Sequence, residues 1–218
     1  MPTSNKASVQ ALDAAVQAAA AGEQNRYEHG FRKLHLAPIT TDGSDTAKPV
    51  YAKPVTVSGE VKLSLSDGSS ADDIYAGDDL YDSVAVKAVL SGTLEIYGDL
   101  PAELEQSIMG HTKDANGAIG LKDGGKRAPF AVLYQSQGSE EPVDLVLYKV
   151  KVTKENDIAP ETDGETPVVN THAYNIACFY QNFAGEAWNF TRVKKSQSPA
   201  AFDKFFDGVY DPTTKVES

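Results

Sequence analysis

The chain has 218 residues, enough to bury a sizeable core in one or two domains. Its formal net charge of −11 argues against a basic surface that grips nucleic acid, although an acidic wall could enclose DNA without binding it. The same charge could simply keep the protein soluble. One cysteine, Cys178, excludes an intrachain disulfide and a cysteine-based metal site.

No run of the sequence approaches the roughly 20 apolar residues of a membrane-spanning helix. No basic segment followed by an apolar one opens the chain, so we expect no secretory signal and synthesis in a cytoplasm.

Residues 1–29 are predicted to form an N-terminal helical extension. Ser8 can cap a helix that Gly22 ends, and Val9, Leu12 and Val16 give it a thin apolar stripe. Such a helix should pack on its own domain or on a neighbouring molecule. A frayed terminal helix is the alternative.

Residues 30–193 are predicted to form one β-sandwich or barrel, because short alternating runs are separated by turn signals and no linker divides them. The expected fold is mainly β, with one short internal helix and helices at both termini. The predicted strands cover residues 30–37, 50–53, 60–66, 84–90, 93–97, 130–134, 143–152, 168–180 and 187–193.

The segment from 66 to 82 is predicted to be a long acidic loop. It carries six Asp residues, interleaved with Ile74, Tyr75, Leu80 and Tyr81. Those side chains are too apolar for a freely solvated loop, so we expect them to be buried, often against another subunit. A solvated loop with a local aromatic cluster is the alternative.

Two helices are well marked. Pro101 suits the first helical position and Gly110 the stop of a helix that should cover an open side of the sheets. Residues 194–218 are predicted to form a C-terminal helical extension beginning at Ser198. Its apolar stripe must dock on something; the stripe comprises Phe202, Phe205, Phe206 and Val209.

The sequence offers no catalytic cluster, cofactor site or metal site, and we expect no enzyme. The four His residues lack metal-ligand spacing, and the Asp residues lack the spacing of a calcium-binding EF-hand loop. No phosphate-binding loop or nucleophile elbow occurs. Cys178 lies in a strand-like run, where a buried inert thiol is expected.

Several ordered patterns carry a resemblance to a known family. They are GFRKLHLAPIT at 30–40, KPV at 53–55, GEVKLSLS at 59–66, IYAGDD at 74–79, GTLEIYGDLP at 92–101 and FAVLY at 130–134, followed by a strand after residue 162. In this order, over roughly residues 30–182, the chain resembles the major tail proteins of long-tailed, siphovirus-type bacteriophages.

The resemblance implies a tail-tube subunit that forms stacked hexameric rings. DNA would leave the capsid through the tube without being specifically bound. The implied partners are copies of the same chain, a tape measure protein, a tail terminator and distal tail proteins, and the implied location is the virion tail.

Under this reading we expect the 66–82 segment to make the contact between rings. The candidate contact residues are Asp72, Asp73, Tyr75, Asp78, Asp79 and Tyr81. The alternative is a monomeric β-sandwich that binds a ligand or serves in adhesion. Its ligand platform would be built from Tyr174, Phe179, Tyr180, Phe183 and Trp188, which could equally be packed in the core.

Overall fold

The computed structural model describes residues 28–67, 71–76, 79–85, 90–138, 140–155 and 171–216. Within them the fold is mainly β, as predicted. Most of the predicted N-terminal extension lies outside the described residues, and Glu28 and His29 belong to the first strand. Among the described residues, no helix combines the length and apolar character needed to cross a membrane.

One antiparallel sheet contains nine of the strands. These are β1 (Glu28–Thr41), β2 (Val50–Tyr51), β3 (Val55–Thr56), β4 (Glu60–Asp67), β7 (Leu90–Tyr97), β10 (Phe130–Gly138), β11 (Pro142–Glu155), β12 (Thr171–Phe179) and β15 (Phe190–Lys194). Three two-stranded hairpins complete the strands. They are β5 (Ala71–Ala76) with β6 (Asp79–Ala85), β8 (His111–Lys113) with β9 (Ile119–Leu121), and β13 (Gln181–Phe183) with β14 (Glu186–Trp188).

The strand order in the sheet is β2-β1-β10-β11-β12-β7-β4, so neighbours in space are often distant in sequence. The long strand β11 has two partners along one edge. Its first half pairs with β15, from Val143 to Leu147, and its second half pairs with β12, from Lys149 onward. The sheet therefore branches at the middle of β11, with β15 beside its first half and β12 beside its second half.

The sheet curls until its last strand approaches its second one. The amide of Val57 donates to the carbonyl of Leu34 over 2.8 Å, and the amide of Lys33 donates to Oε1 of Glu60 over 3.0 Å. Two register shifts in β1 help this curvature, because Gly30 and Lys33 have φ values of 77° and 53°. Bulges of this kind bend a strand and increase its twist.

The concave side of the curled sheet holds the first apolar core. Helix α1 (Ala102–Met109) covers it through Leu104, Ile108 and Met109, each about 1% exposed. Gly110 ends the helix with φ 74°, a conformation that glycine adopts without the cost of a Cβ clash. The predicted helix and its covering role are confirmed, although Pro101 is the cap residue rather than the first helical one.

A second apolar core lies on the other face of β1, β10 and β11, and the C-terminal segment covers it. Helix α2 (Pro199–Asp203) is short, yet the predicted stripe continues through the following turns. Phe205 is 2% exposed, while Phe202, Phe206 and Val209 pack around it. The stripe therefore docks on its own chain.

Several predicted boundaries are wrong. Of the strand expected over 84–90, residues 84 and 85 belong to β6 and Leu90 begins β7, while residues 86–89 lie outside the described residues. The β8–β9 hairpin lies where no strand is predicted, and the strand predicted over 187–193 is broken into β14 and β15. The described part of the strand predicted at 168–180 is β12.

Candidate functional site

The 66–82 segment is a β-hairpin rather than a loop. Strands β5 and β6 pair antiparallel from Ala71 with Ala85 to Ala76 with Asp79. We call residues 71–85 the acidic arm. Asp72, Asp73 and Tyr75 lie in β5, Asp79 and Tyr81 lie in β6, and Asp78 lies outside the described residues. The hairpin thus brings the predicted contact residues of both strands onto one element.

The acidic arm extends from one end of the main sheet. Strands β4 and β7 are paired up to Asp67 and Leu90, and the arm's own pairing follows at Ala71 and Ala85. Within the described residues, β5 and β6 pair only with each other. The arm is therefore an appendage inserted between two neighbouring strands.

The opposite end of the sheet carries a different element. Strand β7 starts at Leu90 beside the arm and ends at Tyr97, from which the chain enters α1 and the β8–β9 hairpin. At about 3.3 Å per residue the eight residues of β7 span roughly 25 Å. The arm and the β8–β9 hairpin are thus attached to opposite ends of the same strand.

Strand β4 ends the strand order of the sheet and pairs only with β7 among the described strands. Its first residue lies close to β1, because Oε1 of Glu60 accepts a hydrogen bond from the amide of Lys33 over 3.0 Å. The next residue, Val61, is 46% exposed. An unpaired strand edge presents backbone donors and acceptors.

The aromatic residues suspected of forming a ligand platform do not share one surface. Tyr174 is buried in the first core, and Phe183 is buried in the second, where its ring lies 4.9 Å from that of Tyr148. Trp188 packs against the second core, whereas Tyr180 is exposed. The described structure accordingly gives the binding-module alternative no flat aromatic face.

The histidines whose side chains are described have separate local partners. Nδ1 of His111 lies 2.8 Å from Glu105, and Nε2 of His172 lies 3.4 Å from Asp99. The ring of His35 lies between the carbonyl of Lys33 and the hydroxyl of Thr56. Among the described residues, no three His, Cys, Asp or Glu residues come together in a metal-binding group.

Two ionisable side chains are buried, and burial raises the pKa of each. Burial raises the pKa of the Cys178 thiol to about 12, which keeps it neutral, and the predicted buried position of this residue is confirmed. Burial also raises the pKa of Asp144, against the opposing effects of a 2.8 Å hydrogen bond from Gln135 and the charge of Lys33. The sequence does not single out the buried carboxyl of Asp144, because nothing in the predicted strand around it marks that residue as buried.

Sequence reasoning also missed a set of long-range polar ties that hold the loop after β1. Asp42 pairs with Lys149, Asp45 accepts from Asn182, and Nζ of Lys48 lies 2.8 Å from Asp211. The partners are more than 100 residues apart in sequence, so no local signal marks them. These ties fix the loop and the C-terminal segment to one body.

Comparison with protein-family models and with curated proteins finds no match for the chain.

Proposed function

We propose that this chain is a structural subunit that assembles with copies of itself into stacked hexameric rings, forming the tail tube of a long-tailed bacteriophage. The tube would be the conduit for DNA ejection, and the subunit would be a barrel-like β domain. The observation that carries the proposal is the acidic arm, a hairpin inserted between β4 and β7 that pairs only with itself among the described strands.

The arm suits a contact between rings. It contains Ile74, Tyr75, Leu80 and Tyr81, side chains that are costly to leave in water over a large patch. A hairpin that does not pair with the main sheet can contact a neighbouring molecule while the sheet keeps its own core. A contact between unlike surfaces of identical subunits generates either a closed ring or a filament.

The edge of β4 that pairs with no described strand suits a second, lateral contact beyond the point where Glu60 meets β1. Strand addition along such an edge provides main-chain hydrogen bonds, and the neighbour's strand continues the sheet. One lateral and one axial contact, both between unlike surfaces, are sufficient to build a stacked-ring tube.

The charge of the chain fits a conduit for DNA. With a net charge of −11, the wall would repel phosphates and offer few attachment points to a passing duplex. Tape measure, terminator and distal tail proteins are the further partners that the family resemblance suggests.

The experiment that tests the proposal removes the arm. Deleting residues 71–85, the whole arm, should leave a folded protein, judged by circular dichroism and cooperative unfolding, that no longer polymerises. Negative-stain micrographs of the deletion protein should show no tubes under conditions in which the full chain forms them. Normal tubes from the deletion protein would overturn the assignment of the arm.

A further inference from the structure

The acidic arm needs a receiving surface on the next copy of the chain. The arm carries Asp72, Asp73, Asp78, Asp79 and Asp82, and residues 71–85 contain no Lys or Arg. A surface that accepts it should therefore be positively charged and should offer apolar area to the Ile, Leu and Tyr residues of the arm.

The β8–β9 hairpin and the turn after it have both properties. Residues 111–127 contain four Lys or Arg residues and two Asp, in a chain that is strongly acidic as a whole. Lys113, Lys122 and Lys126 are exposed. Leu121 is 65% exposed, more than any other large apolar side chain among the described residues.

Asp114, the acidic residue beside Lys113, accepts hydrogen bonds from within its own turn. Oδ1 of Asp114 accepts from the amides of Asn116 and Ala118, over 2.8 and 2.9 Å. The turn that carries Lys126 is held by Arg127, whose Nη1 donates to the carbonyl of Thr153 over 2.8 Å. The lysines are thus presented on a fixed backbone.

The order of the elements along the chain suits an axial contact. The arm precedes Leu90, whereas α1 and the β8–β9 hairpin follow Tyr97, so the chain reaches the two charged elements from opposite ends of β7. A contact between opposite ends of identical molecules repeats along one direction and builds a filament.

A second group of cations lies on β15 and fits less well. This strand carries Arg192 and Lys194, Lys195 follows it, and it pairs with Val143–Leu147, toward the same end of the sheet as the arm. Lys195 also lies 3.1 Å from Asp203. A contact there would join like ends rather than continue a stack.

We propose that the acidic arm of one copy docks on the β8–β9 surface of the next, formed by Lys113, Leu121, Lys122 and Lys126. The inference deepens the proposed function and rests on it. The occupant of the β8–β9 surface is a second copy of this chain, held by opposite charge around an apolar centre.

A charge swap tests the pairing. The Lys122→Glu, Lys126→Glu variant should need at least about tenfold more protein to form tubes, because like charges then face each other. The Asp72→Lys, Asp73→Lys variant should fail similarly, and combining all four substitutions should restore assembly. The matched control is Lys204→Glu, Lys215→Glu, which changes the net charge equally on exposed residues of the C-terminal segment.

A general effect of net charge would give the opposite pattern. The control would then lose assembly as the Lys122, Lys126 variant does, and the less acidic Asp72, Asp73 variant would assemble more readily than the unmodified chain. Either result would overturn the inference.

Hydrogen exchange provides a measurement on tubes of the unmodified chain, without any charge substitution. Amides in residues 111–127 should exchange more slowly in tubes than in the arm-deleted monomer. Tubes in which these amides are unchanged would overturn the docking surface but leave the proposed function standing. An unmodified chain that forms no tubes would overturn both.

Discussion

Nζ of Lys48 lies 2.8 Å from a carboxylate oxygen of Asp211, although 163 residues separate them in sequence. The pair joins the loop after β1 to a turn near the end of the described residues. Asp211 also accepts hydrogen bonds from Thr213 and Thr214, so its carboxylate organises the end of the C-terminal segment. That segment covers the second core, and the pair therefore helps to keep the core closed.

The stability provided by Asp211 should depend on pH. Partial burial alone would raise the pKa of this carboxyl, but hydrogen bonds from Lys48, Thr213 and Thr214 outweigh it and lower the pKa from 3.8 to about 2. Because the folded state favours the ionised form, the contribution is present above the unfolded value and is lost as pH falls toward 2.

Replacing Asp211 by Asn should consequently lower the melting temperature near neutral pH, by an amount equivalent to about 1 kcal/mol or less for a partly exposed pair. The difference from the unmodified chain should shrink as the pH falls through the interval between 3.8 and about 2. Thermal unfolding, monitored by circular dichroism at several pH values in this range, measures the difference in melting temperature. A difference that is constant down to the lowest pH would show that ionisation of Asp211 is not involved.

Truncating Phe205 should open the second core. This side chain is 2% exposed, and Phe→Ala changes at such sites typically cost about 3–5 kcal/mol because a cavity remains. Urea unfolding of Phe205→Ala should show a loss of that order. The matched control is Phe190→Ala, at 46% exposure, which should cost at most about 1 kcal/mol. Equal losses from the two substitutions would mean that the C-terminal segment does not seal the core.

Gly92 should be required for the pairing of β4 with β7. A Cβ atom at this position would lie 1.8 Å from the backbone carbonyl oxygen of Ser64, so one strand must move away. Gly92→Ala should therefore destabilise the fold by about 2 kcal/mol, within the usual range for a strained substitution.

The control for Gly92 is Gly120→Ala, also in a strand, where an added Cβ meets nothing within 4 Å. This change should stay within about 0.5 kcal/mol. Since β4 and β7 carry the arm, Gly92→Ala should also reduce tube formation. Unfolding curves in urea that coincide for the two variants would contradict the close approach of β4 and β7.

Local signals in the sequence predicted much of the fold. The spacing of Leu104 and Ile108 between Pro101 and Gly110 placed the internal helix correctly, because caps and a 3.6-residue period act over a few residues. The Phe stripe from 202 to 209 likewise indicated a segment that must dock. Such features depend only on near neighbours in sequence.

Other features could not be predicted in the same way. The sequence predicts a loop for the acidic arm, because consecutive Asp residues have low β propensity. The two residues Gly77-Asp78 between its two halves are nevertheless a hairpin signal. The strand order and the pair formed by Lys48 and Asp211 depend on contacts between distant segments. No local pattern encodes which distant partner a strand or a charge will find.

The most direct test of self-assembly is the state of the purified, unmodified chain over a range of concentrations. Light scattering coupled to gel filtration, followed by negative-stain microscopy, should show rings or tubes whose mass is a multiple of 23.3 kDa. A species that remains at 23.3 kDa at every concentration, with no rings or tubes in micrographs, would contradict the account.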